Sequence, residues 1–340
     1  MKLKVFIGIV ISAIFFYLAF REVNFQEMLE ALKNANYIWL IPAMSFMLAS
    51  HWLRAFRWRY FLEPIREVKI QPLFSALMIG YAANNIFPLR LGEFLRAFAI
   101  GKSQQISKSS AFATVLVERL IDLLSLLVLL SATVFFFPLP ELIKKSGYGI
   151  FFMTTSAIIL MVFLMEKTDG TIKVLQKILP TKIFGLVQKV VRSFLMGFSV
   201  FKKTEHYLSI LNFSILVWAF YIGTVYTSFF AFDFPQRYDL NMFSSVVILV
   251  IVSIGIMIPS SPGFVGTYHW FCMKGLALFG VPESEALSFA VISHAMNTIP
   301  FTLIGLSYFW KDNLRFADAM AEKEMVEQEA EEEKLMGEAE

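Results

Sequence analysis

The chain has 340 residues, 57% of them hydrophobic and only 17% charged, with a formal net charge of +3 and a mean hydropathy of +0.63. Ordinary globular proteins carry about 25% charged residues, and no soluble core of this size absorbs 37 Phe and 11 Tyr without large exposed apolar patches; the composition is that of a polytopic, all-α membrane protein. The lone Cys272 excludes a disulfide scaffold and thiolate metal clusters, and the small, scattered positive charge argues against DNA binding.

A membrane span needs about 20 mostly apolar residues. Leu3 to Phe20 meets this narrowly behind Lys2 and Lys4, and the absence of a small-x-small site around Tyr17–Arg21 predicts an uncleaved anchor. Asn24 to Asn36 reads as an amphipathic interfacial stretch, and Tyr37 to about Phe56 as a second span flanked by Trp39, Trp52 and Trp58. Ile70 to Gly101 is apolar but interrupted by Asn84-Asn-Ile-Phe-Pro-Leu-Arg-Leu-Gly-Glu93. Ser110–Phe137 and Gly147–Met165 read as plain spans, and residues 166–206 as a basic helical stretch suited to anionic headgroups. Tyr207–Phe232 spans again. Phe243 to Phe279 is broken at Pro259-Ser-Ser-Pro-Gly263, and Ala286–Trp310 is the last span. Residues 1–312 thus form one transmembrane domain, and 313–340 an acidic cytoplasmic tail with no need of a fold.

Lys and Arg favour the cytoplasmic side. Placing Lys167–Lys203 there, together with Arg54, Arg57, Arg59, Arg66, Lys69, Lys102 and Lys108, makes residues 70–101 a hairpin from the cytoplasm and 243–279 a hairpin from outside. Lys144 and Lys145 count against the scheme. It gives six full spans, two opposed broken-helix hairpins and both termini inside. Each hairpin has an apolar helix, a Pro–Gly break, a shorter helix and then a long span. Pro88 and Gly92 mark the first break; Pro259, Pro262, Gly263 and Gly266 mark the second. Inverted repeats with broken helices characterise transporters, because freed backbone groups are tolerated only where they line a polar cavity or face protein. The alternative is a Pro kink in each of two ordinary spans.

Charged and polar residues inside the apolar segments are candidate site residues, since intramembrane charge is costly unless paired or hydrated. Asn84, Asn85, Arg90, Glu93 and Arg96 form the first cluster. On a helix starting near Leu89, Arg90, Glu93 and Arg96 share a face, and an Arg fork suits a phosphate. Glu118, Arg119 and Asp122 form the second, about eight residues into a span, read as a cavity wall against the first hairpin. His269, His294 and Asn297 form the third, where protonatable rings offer proton coupling or a lipid-phosphate contact and packing is the simpler alternative. No metal site and no cofactor is expected, because the histidines fit no helical pair and lack a third ligand.

Asn84-Asn-Ile-Phe-Pro-Leu-Arg-Leu-Gly-Glu-Phe-Leu-Arg96 with Val117-Glu-Arg-Leu-Ile-Asp122, and Pro259-Ser-Ser-Pro-Gly-Phe-Val-Gly266 with Leu278-Phe-Gly-Val-Pro282, resemble the two signatures of the flippase-like membrane proteins, which include the membrane domain of lysylphosphatidylglycerol synthase/flippase. The resemblance runs from about Leu3 to Trp310 and implies lipid translocation, of aminoacylated phospholipids or of hopanoid and isoprenoid-linked glycolipids. His269 stands where many relatives carry Glu, and His294 where many carry Arg, which argues against a lysyl-lipid headgroup. No aminoacyl-transfer domain follows the last span, so synthesis of lysylphosphatidylglycerol is not expected.

The expected function is translocation of an anionic phospholipid or an isoprenoid or glycolipid headgroup, with Arg90, Arg96 and Arg119 on the phosphate. The rivals are an intramembrane enzyme using Glu93, His269 and His294 as acid and base, and a non-transporting regulator recruited through the tail. The expected partner is a membrane lipid, not nucleic acid; a second copy of the chain and a cytoplasmic protein on the acidic tail are further candidates. A bacterial inner membrane is the expected location.

Overall fold

The computed structural model describes residues 2–21, 23–87, 91–136, 152, 155–156 and 205–314. Among them every regular element is helical. The helices are α1 (Lys2–Phe20), α2 (Phe25–Asn34), α3 (Leu40–Leu62), α4 (Ile70–Ile86), α5 (Gly92–Gln104), α6 (Lys108–Phe136), α7 (Tyr207–Phe229), α8 (Phe234–Tyr238), α9 (Met242–Met257), α10 (Thr267–Ala277) and α11 (Glu283–Lys311). The expected span at 147–165, the basic stretch at 166–206 and the acidic tail lie wholly or largely outside the described residues.

Among the described residues three helices are long and apolar enough to cross a membrane: α6, α7 with the turn after it, and α11. The chain turns through 85° between α1 and α2, at a break where the Asn24 side chain caps α2 by accepting from the Gln26 amide at 3.0 Å. α3 differs from expectation. It does not stop at Phe56 but continues to Leu62, and Arg54 and Arg57 are buried inside the protein instead of standing in a cytoplasmic loop. They lie three residues apart on the face that also carries His51 and Trp58, so one rotation of the helix turns all four inward.

Both broken segments fold back. α4 and α5 pack against each other, and Arg66, before α4, donates to the carbonyl of Gln104, at the end of α5. α9 and α10 do the same: Arg237, before α9, grips both carboxylate oxygens of Glu285, after α10, at 2.6 Å each. Helices of this length reach only about 16–26 Å at 1.5 Å per residue. The first crossing is close because Gly92 has no side chain. A Cβ there would lie 2.1 Å from the Gly80 carbonyl oxygen and 2.6 Å from the Asn84 side chain.

Two apolar cores result. One unites α3, α4, α5 and the start of α6 around Trp58, Phe61, Leu77 and Phe98. The other unites the end of α7 with α9, α10 and the start of α11 around Phe229, Phe234, Met273 and Phe289. α11 joins them, running from the second core along α4 to the first and continuing helically through Pro300.

Candidate functional site

The densest buried chemistry is an ion cluster built from three helices. Glu118 on α6 is fully buried and accepts from Arg54 at 2.5 Å, Arg96 at 2.6 Å and Arg119 at 3.2 Å, with Arg57 at 3.6 Å. Asp122, one turn on, accepts from Arg57 at 2.6 Å and Arg54 at 2.9 Å, with Arg119 at 3.6 Å. α7 closes one side: Tyr221 accepts from Arg54 at 3.0 Å and Ser214 from Arg57 at 3.1 Å. The Arg96 guanidinium lies 3.6 Å from the centroid of a Trp58 ring, whose indole N–H is held by Thr114 at 2.9 Å.

Four guanidiniums therefore share two carboxylates, and positive charge is left over. A buried ion pair is maintained only when geometry and further hydrogen bonds offset the loss of hydration, and Arg54, Arg57 and Arg96 each hold a carboxylate oxygen at 2.5–2.9 Å. Arg119 is different. Its side chain is 38% exposed, and its contacts, at 3.2 and 3.6 Å, are the longest. It is the guanidinium free to turn to an anion while the other three keep both carboxylates neutralised.

The structure brings Arg96 to Glu118 and not to Glu93. α5 begins at Gly92 instead of near Leu89, because the Asn84 side chain accepts from the Gly92 amide at 2.8 Å and so fixes the first turn. Pro88 and Arg90 lie outside the described residues. Glu93 lies within electrostatic reach of Arg119, and its Oε2 is buried with no hydrogen-bond partner among the described residues. Arg54 and Arg57 were missed by sequence reasoning, which counted them as loop charges. The available signal was their spacing with His51 and Trp58 on one face.

The second break is locked by the histidines. Gly263 and Gly266 adopt positive φ of +66° and +87°, where L side chains are strained. The Gly263 carbonyl is 2.7 Å from His294 Nε2, which must therefore donate; the Gly266 amide donates to His269 Nδ1 at 3.3 Å. The two rings stand edge to face, centroids 4.8 Å apart. From α1, the Ser12 hydroxyl bonds that of Ser261 at 2.6 Å and the carbonyl of Val265. Pro259 and Pro262 flank this turn. Asn297 lies one turn beyond His294 with its Oδ1 buried and unpartnered among the described residues. No group of three metal-binding side chains occurs among the described residues.

The last turn of α4 meets the second break. A Cβ on Gly263 would sit 3.4 Å from the Asn85 carbonyl oxygen, and the Asn85 amide donates to Thr302 at 2.9 Å and to the Thr298 carbonyl at 3.4 Å, both on α11. One turn further, Phe301 packs edge-on against His51, which neighbours Arg54 on α3. α11 thus links the histidine-locked break to the ion cluster.

The family described as lysylphosphatidylglycerol synthase TM region matches residues 5–305. The chain is 24% identical to a UPF0104 membrane protein of Methanothermobacter thermautotrophicus, over 83% of this chain and 87% of that one. It is 24% identical to another from Methanocaldococcus jannaschii, over 90% and 95%. A 127-residue stretch, 37% of this chain and 20% of the other, is 28% identical to the glycosyltransferase AglD of Haloferax volcanii. No solved structure matches. These relatives are archaeal and lend no support to a bacterial inner membrane.

Proposed function

The chain belongs to the lysylphosphatidylglycerol synthase TM region family of integral membrane proteins, and from that premise we propose that it translocates a lipid whose headgroup carries a phosphate. The observation that carries this reading is the buried cluster of Arg54, Arg57, Arg96 and Arg119 on Glu118 and Asp122, with an excess of guanidinium and one arginine open to the outside. Arginine grips phosphate oxygens with paired hydrogen bonds and stays charged throughout. Glu118 and Asp122 hold the cluster together when no anion is bound. The acyl or isoprenyl chains remain in lipid while the headgroup crosses.

Six full spans and two opposed re-entrant hairpins, with both termini cytoplasmic, complete the proposal. The hairpins then place their tips near the midplane, where broken backbone is satisfied by protein. The contact of the last turn of α4 with the second break, and fold-back contacts at opposite ends of the chain's two cores, support this arrangement. The histidine nitrogens that face the backbone of the second break support a positioning role for His269 and His294, and give the acid–base enzyme reading no particular support.

The test is a flipping assay on purified protein in liposomes, using tail-labelled lipids with several headgroups. Wild type should flip phosphate-bearing lipid with headgroup preference. Arg119→Gln and Arg90→Ala should each lower the rate by ten-fold or more while eluting and melting as folded protein. Unchanged rates in both folded variants would overturn the proposal.

A further inference from the structure

The cluster has an open face, and its chemistry is not that of a phosphate site alone. Arg119, Tyr81 on α4, Glu93 on α5, and Trp218 and Tyr221 on α7 are all partly exposed, although the cluster beneath them is buried. They converge on one place. Tyr221 bonds Arg54, whose guanidinium also lies 5.9 Å from the Tyr81 ring centroid. Trp218 stands on the α7 face that presents Ser214 and Tyr221 to Arg57 and Arg54, with its ring 5.8 Å from that of Tyr221. Glu93 is in electrostatic reach of Arg119, as are Tyr81 and Tyr221 of one another.

Four polar atoms on this face are buried without a hydrogen-bond partner among the described residues: the Tyr81 hydroxyl, the Trp218 indole N–H, Glu93 Oε2 and Arg119 Nε. A buried polar group left unpaired is costly, so such atoms mark where a ligand's own groups belong. Their inventory is selective. The indole N–H only donates, an ionised carboxylate only accepts, and the phenol does both. A bare phosphate cannot satisfy Glu93, because its oxygens accept and its charge is repelled. A cationic amine cannot satisfy Trp218, and the excess guanidinium repels it. What fits is a group offering hydroxyl donors and acceptors together with an apolar face for the flat aromatic rings.

We infer that this face is a subsite for a hydroxylated ring, a sugar, carried on the lipid phosphate: the phosphate on Arg119, the ring against Trp218 and Tyr81, its hydroxyls on Glu93 and the indole N–H. The inference rests on the translocase reading and narrows its substrate to a glycosyl phosphate lipid.

The experiment is competition binding of the full chain in phosphatidylcholine nanodiscs, read by native mass spectrometry, between polyprenyl phosphate and polyprenyl-phosphate hexose of the same chain length. The hexose lipid should bind at least about ten-fold tighter, equivalent to about 1.4 kcal/mol. Trp218→Phe and Glu93→Gln should each bring that ratio below three-fold, whereas Trp310→Phe, on an exposed side chain of α11, should keep it. Gel filtration and melting confirm that each variant is folded. Equal binding of the two lipids by wild type overturns the sugar subsite and leaves the phosphate reading standing. Binding of neither lipid above phosphatidylcholine, or binding indifferent to Arg119→Gln, overturns the phosphate reading and the inference with it.

Discussion

Glu118 holds the centre of the protein together at the scale of a single side chain. It is within 3.6 Å of four guanidiniums and has no access to water. Glu118→Gln keeps the shape and removes the charge, leaving Asp122 to neutralise four buried or half-buried cations. Removing one partner of a buried ion pair costs about 3–5 kcal/mol, so the variant should show a markedly lower melting temperature in detergent. A melting temperature equal to wild type would mean that water reaches the cluster freely. Asp122→Asn, at a side chain 15% exposed, should cost less. The sequence made this centre half legible. Glu118, Arg119 and Asp122 stand out because charges four residues apart inside an apolar run have no solvated alternative. Arg54 and Arg57 do not stand out, because they adjoin Arg59 and Arg66 and blend into a positive flank. Only the fold separates inward Arg57 from outward Arg59, two residues away.

At the scale of elements, the broken hairpins were readable because proline and glycine punctuate backbone by covalent rule, whatever surrounds them. The exact turn was less so: Asn84 and Asn85 are the last turn of α4, not part of the break, since their side chains reach across to cap α5 and to bond α11. The crossing of α4 over α5 depends on Gly92. Gly92→Ala puts a methyl carbon against the Gly80 carbonyl, and overpacking of this kind costs about 1–3 kcal/mol. It also pushes on Asn84, so the start of α5 shifts and Arg96 with it. Folded yield should fall and transport should fall further than stability alone accounts for. A variant with wild-type transport and melting would show that the two helices are not held this closely.

For the molecule as a whole, the proposed topology makes a prediction independent of transport. Ser103 lies near the Arg66–Gln104 contact, and Glu30 on α2 near Asp233 and Glu285. Cysteines introduced singly at Ser103 and Glu30, both exposed, should be labelled by a membrane-impermeant thiol reagent from opposite sides of oriented vesicles. Labelling from the same side would refute the opposed hairpins. The single native thiol, Cys272, is buried and should stay silent. Asn85 and Gly263 each stand out in their own segment, but that they touch is a property of the fold, because they are far apart in sequence.

The contact between α4 and the second break has an electrical consequence under the proposed topology. If the two hairpins enter the membrane from opposite sides, as proposed, the insulating part of the barrier narrows from a full bilayer to the few residues around Asn85 and Gly263. A resting membrane voltage would then drop mostly across that narrow septum, and each elementary charge carried through it would exchange about 2.3 kcal/mol with every 100 mV. For an anionic headgroup carried as proposed, the cell's own voltage would then set the favoured direction of travel, with no nucleotide hydrolysed to impose one.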